Sequence, residues 1–160
     1  MAYADNEDKQ RGIAREPFVA KRIKLQLEAR GLGIVMKKSS LLEDMRKKYD
    51  YLYTCARSQF FDKEKKMNEI KVDIKCGETL TIYDDLGRYT LEHSESTFIV
   101  SETYVNGPLI WINTERLKQC LKLYPSDLKP SKYNNSKYIF IESYLNSHKD
   151  YLGKFVKYIK

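Results

Sequence analysis

Residues 70–114 read IKVDIKCGETLTIYDDLGRYTLEHSESTFIVSETYVNGPLIWINT, and the reading of this stretch decides the fold. Ile70, Val72 and Ile74 alternate with Lys71, Asp73 and Lys75, the period-two pattern of a half-buried strand. Cys76-Gly77 turns the chain, and Leu80 with Ile82 are expected to continue on a return strand. Asp84-Asp85-Leu86-Gly87 is a second turn, with glycine where a positive φ is required. Residues 93–96 form a polar corner, and residues 98–105 a further strand. Asn106-Gly107 is a two-residue hairpin signal leading into residues 108–112, where the initial Pro108 points to an edge strand or a first position. An antiparallel sheet is the plain reading.

Helical patterns are expected on both sides of this stretch. Residues 1–14 lack apolar periodicity and are expected to be a disordered tail, leaving 15–160 as a single domain. Arg15-Glu16-Pro17 has the character of a helix start, because proline at the first position forfeits no needed hydrogen bond. The helix that follows carries two narrow apolar arcs, Phe18, Leu25 and Ala29 against Val19, Ile23 and Leu27. Ser40 and Glu43 make a capping box. Leu42, Met45, Tyr49, Leu52, Tyr53, Ala56 and Phe60 then recur at helical spacing, which predicts a helix over 40–66. Asn113 or Thr114 caps a short helix bearing Leu117, Cys120 and Leu121, and Pro125 stops it. Residues 138–141 fit either a strand or the start of the last helix. That helix, over 142–159, places Tyr144, Leu145, His148, Leu152 and Val156 on one arc, with Gly153 on the polar side. The expected class is α+β: N-terminal helices, a central antiparallel sheet of four to five strands and a C-terminal amphipathic helix packed on it.

The 160 residues carry 29 Lys plus Arg and 22 Asp plus Glu, a net charge of +7. Residues 9–48 hold twelve positive and four negative side chains, and residues 116–160 hold ten and three. Residues 72–115 hold two and eight, so two basic segments flank an acidic one. Cys55, Cys76 and Cys120 are odd in number and far apart, which gives no zinc spacing and no disulfide framework. Together with a polar N-terminus unlike a secretory signal, this predicts an intracellular protein, in the cytoplasm or nucleus of a host cell if viral. Apolar runs such as residues 109–112 are far too short to span a bilayer.

No motif fixes a reaction. His148 lies on an apolar arc, where a satisfied core histidine is the ordinary reading, and His93 sits in the polar corner. Gly31-Leu32-Gly33 lacks the lysine and hydroxyl of a phosphate loop. No cofactor, catalytic residue or metal ligand is assigned, and an enzyme is the less favoured class. The first expectation is a non-enzymatic protein binding RNA or DNA through backbone phosphates, weakly selective for sequence and steeply dependent on salt. Arg15, Lys21, Arg22, Lys24, Lys37, Lys38, Lys47, Lys48, Lys132, Lys137, Lys154 and Lys157 are its candidate phosphate contacts. Tyr51 and Tyr133 are its candidate stacking rings. The Lys, Tyr and Asn usage suggests a viral or phage accessory protein. The alternative is a small viral structural or matrix-like protein, self-associating as a homo-oligomer through acidic sheet and basic helices. Its basic surfaces would meet a nucleoprotein or an anionic membrane surface.

A third reading rests on Glu69-Ile70-Lys71 and Asp73-Ile74-Lys75, each an acid and a lysine on one face of a strand. With an upstream acid such as Asp62, the pattern resembles the acid-x-lysine end of metal-dependent nucleases. That resemblance implies carboxylates holding Mg²⁺ and a lysine assisting the attacking water. Alternating charge on an exposed strand produces the same pattern without any chemistry.

Overall fold

The strand over residues 70–75 is the centre of the molecule. The computed structural model describes residues 3–29 (backbone only up to residue 13), 33–40, 49–55 and 69–160. Five other strands flank β3 (Glu69–Cys76) in a six-stranded sheet: β1 (Ile34–Lys38), β2 (Tyr51–Cys55), β5 (Phe98–Glu102), β6 (Leu109–Asn113) and β9 (Val156–Ile159). Their order is β1-β2-β3-β5-β6-β9, and every pairing is antiparallel except β3 with β5. A smaller sheet, in the order β4-β8-β7, joins β4 (Thr79–Tyr83), β8 (Lys137–Phe140) and β7 (Lys129–Pro130). Among the described residues the α-helices are α1 (Tyr3–Glu28), α2 (Thr114–Leu123), α3 (Ile141–Ser147) and α4 (Lys149–Leu152). The class is α+β with a central sheet.

Two apolar clusters explain the layers. Val19, Ala20, Ile23 and Leu27 of α1 meet Tyr53, Ile70, Val72, Val100 and Trp111 on the front of the large sheet. Of the two arcs on this helix, the sheet takes the second, while Phe18 and Leu25 are left exposed. Polar tips are satisfied at this interface: the Tyr53 hydroxyl donates to the Ala20 carbonyl at 2.8 Å, and Trp111 Nε1 donates to Gln26 Oε1 at 2.9 Å. On the back, Ile99, Ile110 and Ile112 pack against Leu80, Ile82, Leu117, Ile139, Ile141 and Leu145. Each fully buried aliphatic side chain contributes about 1.5–3 kcal/mol, so both faces of β5 and β6 help drive folding.

Several expectations are corrected. Within the span 40–66 expected to be a helix, Tyr51–Cys55 form the strand β2 instead. Tyr51, Tyr53 and Cys55 also recur at spacing two, and backbone partners on β1 and β3 turn that ambiguous pattern into a strand. Residues 41–48 and 56–66 of the expected helix, with Lys47, Lys48 and Asp62, lie outside the described residues. α1 begins at Tyr3, well ahead of Pro17, which sits inside the helix. Leu80 and Ile82 do not return along β3. The place beside β3 belongs to β5, and β4 crosses to the second sheet to pair with β8. The central sheet is therefore six-stranded and mixed. Of the two readings of Pro108, edge strand or first position, the second fits: it directly precedes β6, which is interior, flanked by β5 and β9.

The expected C-terminal amphipathic helix is broken at His148 and gives way after Leu152 to a short turn and then to β9. Gly153 weakens helix propagation, and β9 supplies the hydrogen bonds that the outer side of β6 would otherwise lack. Residues 138–141 turn out to be both alternatives in succession, the end of β8 and then the first residue of α3. Two sequence signals stand as read: Gly87 has φ 77°, and Asn113 caps α2 by accepting from the Arg116 N–H at 3.1 Å. The two-residue turn at Asn106-Gly107 is corrected: the strand expected over 98–105 ends at Glu102, residues 103–108 form the loop to β6, and its turn is closed by the Gly107 N–H on the Tyr104 carbonyl at 2.9 Å, with Asn106 at φ 62°. No helix among the described residues is long and apolar enough to cross a membrane.

Candidate active site at the junction of β2 and β3

Among the described residues, those expected to grip phosphate are spread over α1, β1, β9, the turn before β9 and the β7–β8 hairpin. Arg15 donates from Nε and Nη2 to both carboxylate oxygens of Glu102, at 2.9 and 2.8 Å. Arg22 donates to Glu102 Oε2 at 3.0 Å and to the Gly107 carbonyl at 2.8 Å. Glu102 is 1% exposed. Burial alone would push its carboxyl up. The hydrogen bond and charge of Arg15, the Asn106 N–H and Arg22 outweigh that and hold it below the usual glutamate range. These two arginines fasten α1 to the β5–β6 connection, with their guanidinium groups engaged by Glu102 and the Gly107 carbonyl. Tyr51 is buried under α1 and offers no face for stacking. Lys24 lies 3.9 Å from Glu28, and Lys21 is exposed. Lys37 and Lys38 sit on β1 and Lys157 on β9, at opposite edges of the sheet, roughly 24 Å apart at ~4.8 Å per strand. Lys154 lies over the Phe155 ring. Lys132, Tyr133 and Lys137 are exposed on the β7–β8 hairpin, in the other layer.

What the fold does bring together is a pair of carboxyl groups. Asp50 stands immediately before β2 and grips β3 on both sides of Asp73. Its N–H donates to the Val72 carbonyl at 2.9 Å, and its Oδ2 accepts from the Ile74 N–H at 2.7 Å. Asp50 and Asp73 are hydrogen-bonded through their side chains. Burial, the charge of Asp73 and the shared hydrogen bond push the Asp50 carboxyl up to about 8, with a further contribution from Glu16 of α1, and only the Ile74 N–H acts the other way. Close like charges oppose ionising together, so the proton between the two carboxyls is held on Asp50 toward neutral pH. Lys75 Nζ lies 3.8 Å from Asp73 Oδ2. Across the parallel pairing Lys75 faces Ser101, whose hydroxyl is buried without a hydrogen-bond partner among the described residues.

Sequence reasoning reached Asp73 and Lys75 but missed Asp50. The missing signal was Asp50 followed by the alternating Tyr51, Tyr53 and Cys55, an acid placed directly before a strand. Glu69 is exposed at the far end of β3, while Lys71 packs its ammonium over the Tyr49 ring, so the first acid-x-lysine pair stays outside the cluster.

The donor set fits a hard divalent cation in a specific way. Among the described residues no three His, Cys, Asp or Glu side chains converge to hold a metal. A site of two carboxylates matches Mg²⁺, which keeps several waters and takes the remaining ligands from substrate phosphates.

The other polar cluster is structural. His148 Nε2 is 2.5 Å from Asp127 Oδ2, and its ring lies against Tyr124 and Tyr144. It is a satisfied histidine, as expected. Cys120 is buried and receives the Tyr144 hydroxyl at 3.3 Å; burial pushes its thiol up, away from the reactive thiolate form. No protein-family model, no curated protein and no solved structure matches the chain.

Proposed function

We propose that this protein is a divalent-cation-dependent phosphodiesterase acting on nucleic acid, with Asp50 and Asp73 as the cation's carboxylates and Lys75 beside the reacting phosphate. The observation that carries this reading is the half-buried, hydrogen-bonded Asp50–Asp73 pair with a lysine ammonium at 3.8 Å from one of its oxygens. A half-buried acid-acid pair disfavours the fold unless something positive relieves it, and a cation does so while releasing the shared proton. Bound there, a divalent ion would polarise a phosphoryl oxygen and lower the pKa of a coordinated water. The chain's own residues have distinct parts. Asp50 is held rigid by its two backbone hydrogen bonds, Asp73 presents the second carboxylate, and Lys75 steadies negative charge on the phosphate or orients the attacking water. The net charge of +7 favours a polyanionic substrate.

This reading places the nuclease alternative ahead of simple binding. The assembly alternative has little support, because Glu102, Asp84, Asp73 and Glu115 of the acidic interval are already engaged by Arg15, Arg88, Lys75 and Lys118. The test is incubation of labelled single- and double-stranded DNA and RNA with Mg²⁺ or Mn²⁺. Cleavage that stops with EDTA, with Asp73→Asn and with Lys75→Ala is the expected result. Intact substrate with every metal and every nucleic acid would end the proposal.

A further inference from the structure

The outer face of the small sheet has a composition unusual for a solvated surface. Ile139 of β8 points into the core, and the alternation of the strand turns Tyr138 and Phe140 outward. Their rings lie 5.4 Å apart and nearly perpendicular, with Phe140 36% exposed. The neighbouring outward positions carry small polar or basic groups. Thr79 is opposite Phe140, Thr81 is opposite Tyr138, and Lys129 is opposite Tyr138 on the other side. Both threonines and Lys129, Lys132 and Lys137 are exposed, and no ion pair engages these three lysines among the described residues. Asp84 and Asp85, at the far end of β4, are occupied by Arg88 and Ser136. Glu78 is the acid at the near end.

We infer that this face is a stacking platform for single-stranded nucleic acid, with Phe140 and Tyr138 receiving successive bases and Lys129 and Lys132 meeting the phosphates. Aromatic rings on an open sheet face bind unpaired bases because every base has a π-face, whereas a duplex keeps its bases stacked internally. The threonines leave the rings unobstructed.

The position of the platform suits the proposed active site, and this part of the inference rests on that reading. Thr79 follows Lys75 by only four positions in the chain, a reach of at most ~14 Å. The Ile141 N–H bonds the Glu78 carbonyl at 2.9 Å, which pins the Phe140 end of β8 to the start of β4. A strand stacked on Tyr138 and then Phe140 is thereby led toward Lys75.

The test measures fluorescence anisotropy of labelled twelve-nucleotide single strands and the matching duplex in EDTA, using the full chain and its Asp73→Asn form. Tyr138→Thr and Phe140→Thr keep strand propensity while removing the rings. Each should weaken single-strand binding by about 5- to 100-fold, with little change for the duplex. Lys129→Ala with Lys132→Ala should reduce the slope of log K against log salt by roughly 1.4. Single-strand binding unaltered by the ring substitutions, or absent at low salt in the parent protein, would overturn the inference. Ring-dependent binding without metal-dependent cleavage would leave the platform standing and remove the nuclease. Cleavage with ring-independent binding would do the reverse.

Discussion

Replacing Asp50 with asparagine should stabilise the protein, and increasingly so as the pH rises. The carboxyl is displaced from 3.8 to about 8 by burial and by Asp73. At about 1.36 kcal/mol per pH unit, the ionised form is disfavoured in the fold by something on the order of 5 kcal/mol. The sign is set by proton counting. Between pH 4 and 8 the folded chain keeps a proton that the unfolded chain releases, so stability falls as pH rises through that window. The substituted carboxamide would carry no charge, would still accept from the Ile74 N–H, and would donate to Asp73. Urea denaturation of both proteins at pH 5, 6, 7 and 8 gives the difference directly, with other titrating groups common to both. The advantage of Asp50→Asn should grow by about 1 kcal/mol per pH unit between pH 5 and 7, a total of roughly 2–3 kcal/mol. Millimolar Mg²⁺ at pH 8 should stabilise the parent protein alone, because a ligand that binds only the folded state shifts the equilibrium toward it. A difference that stays constant across pH would refute the shared-proton account.

Glu102→Gln should destabilise by about 3 kcal/mol near neutral pH, since it removes the counter-charge of two arginines at a buried position. Because the Glu102 carboxyl is held low, this advantage of the parent should vanish as pH falls below the usual glutamate range, which melts at pH 3 and pH 7 would resolve. Asn113→Ala removes the α2 cap and should cost about 1 kcal/mol by urea titration. At Gly107 an added Cβ would come within 2.6 Å of the Tyr104 ring. Tyr104 is 59% exposed and can swing its ring aside, so Gly107→Ala should leave the melting temperature nearly unchanged, by thermal denaturation. Lys75→Ala should leave the fold intact by circular dichroism while removing the cleavage proposed above.

What the sequence determined by itself was local. The alternation of Ile70, Val72 and Ile74, the turn at Gly87, and the cap at Asn113 each depend on a few neighbouring residues, and each appears where its chemistry places it. The pattern from Tyr49 to Cys55 satisfied two periods at once, and only hydrogen-bond partners on β1 and β3 chose the strand. The same is true of residues 156–159, where an apolar arc that fits a helix became β9 once β6 offered an open edge. Charge misled in a related way. Arg15 and Arg22 count as basic in any composition, but tertiary structure pairs them with Glu102, 87 and 80 residues away, a partner no local pattern reveals. The candidate site divides along the same line. Asp73 and Lys75 were legible because strand geometry puts positions two apart on one face. Asp50 was not, because its meeting with Asp73 is a contact between chain segments, and the raised carboxyl that marks the site arises from burial and proximity that only the folded chain supplies.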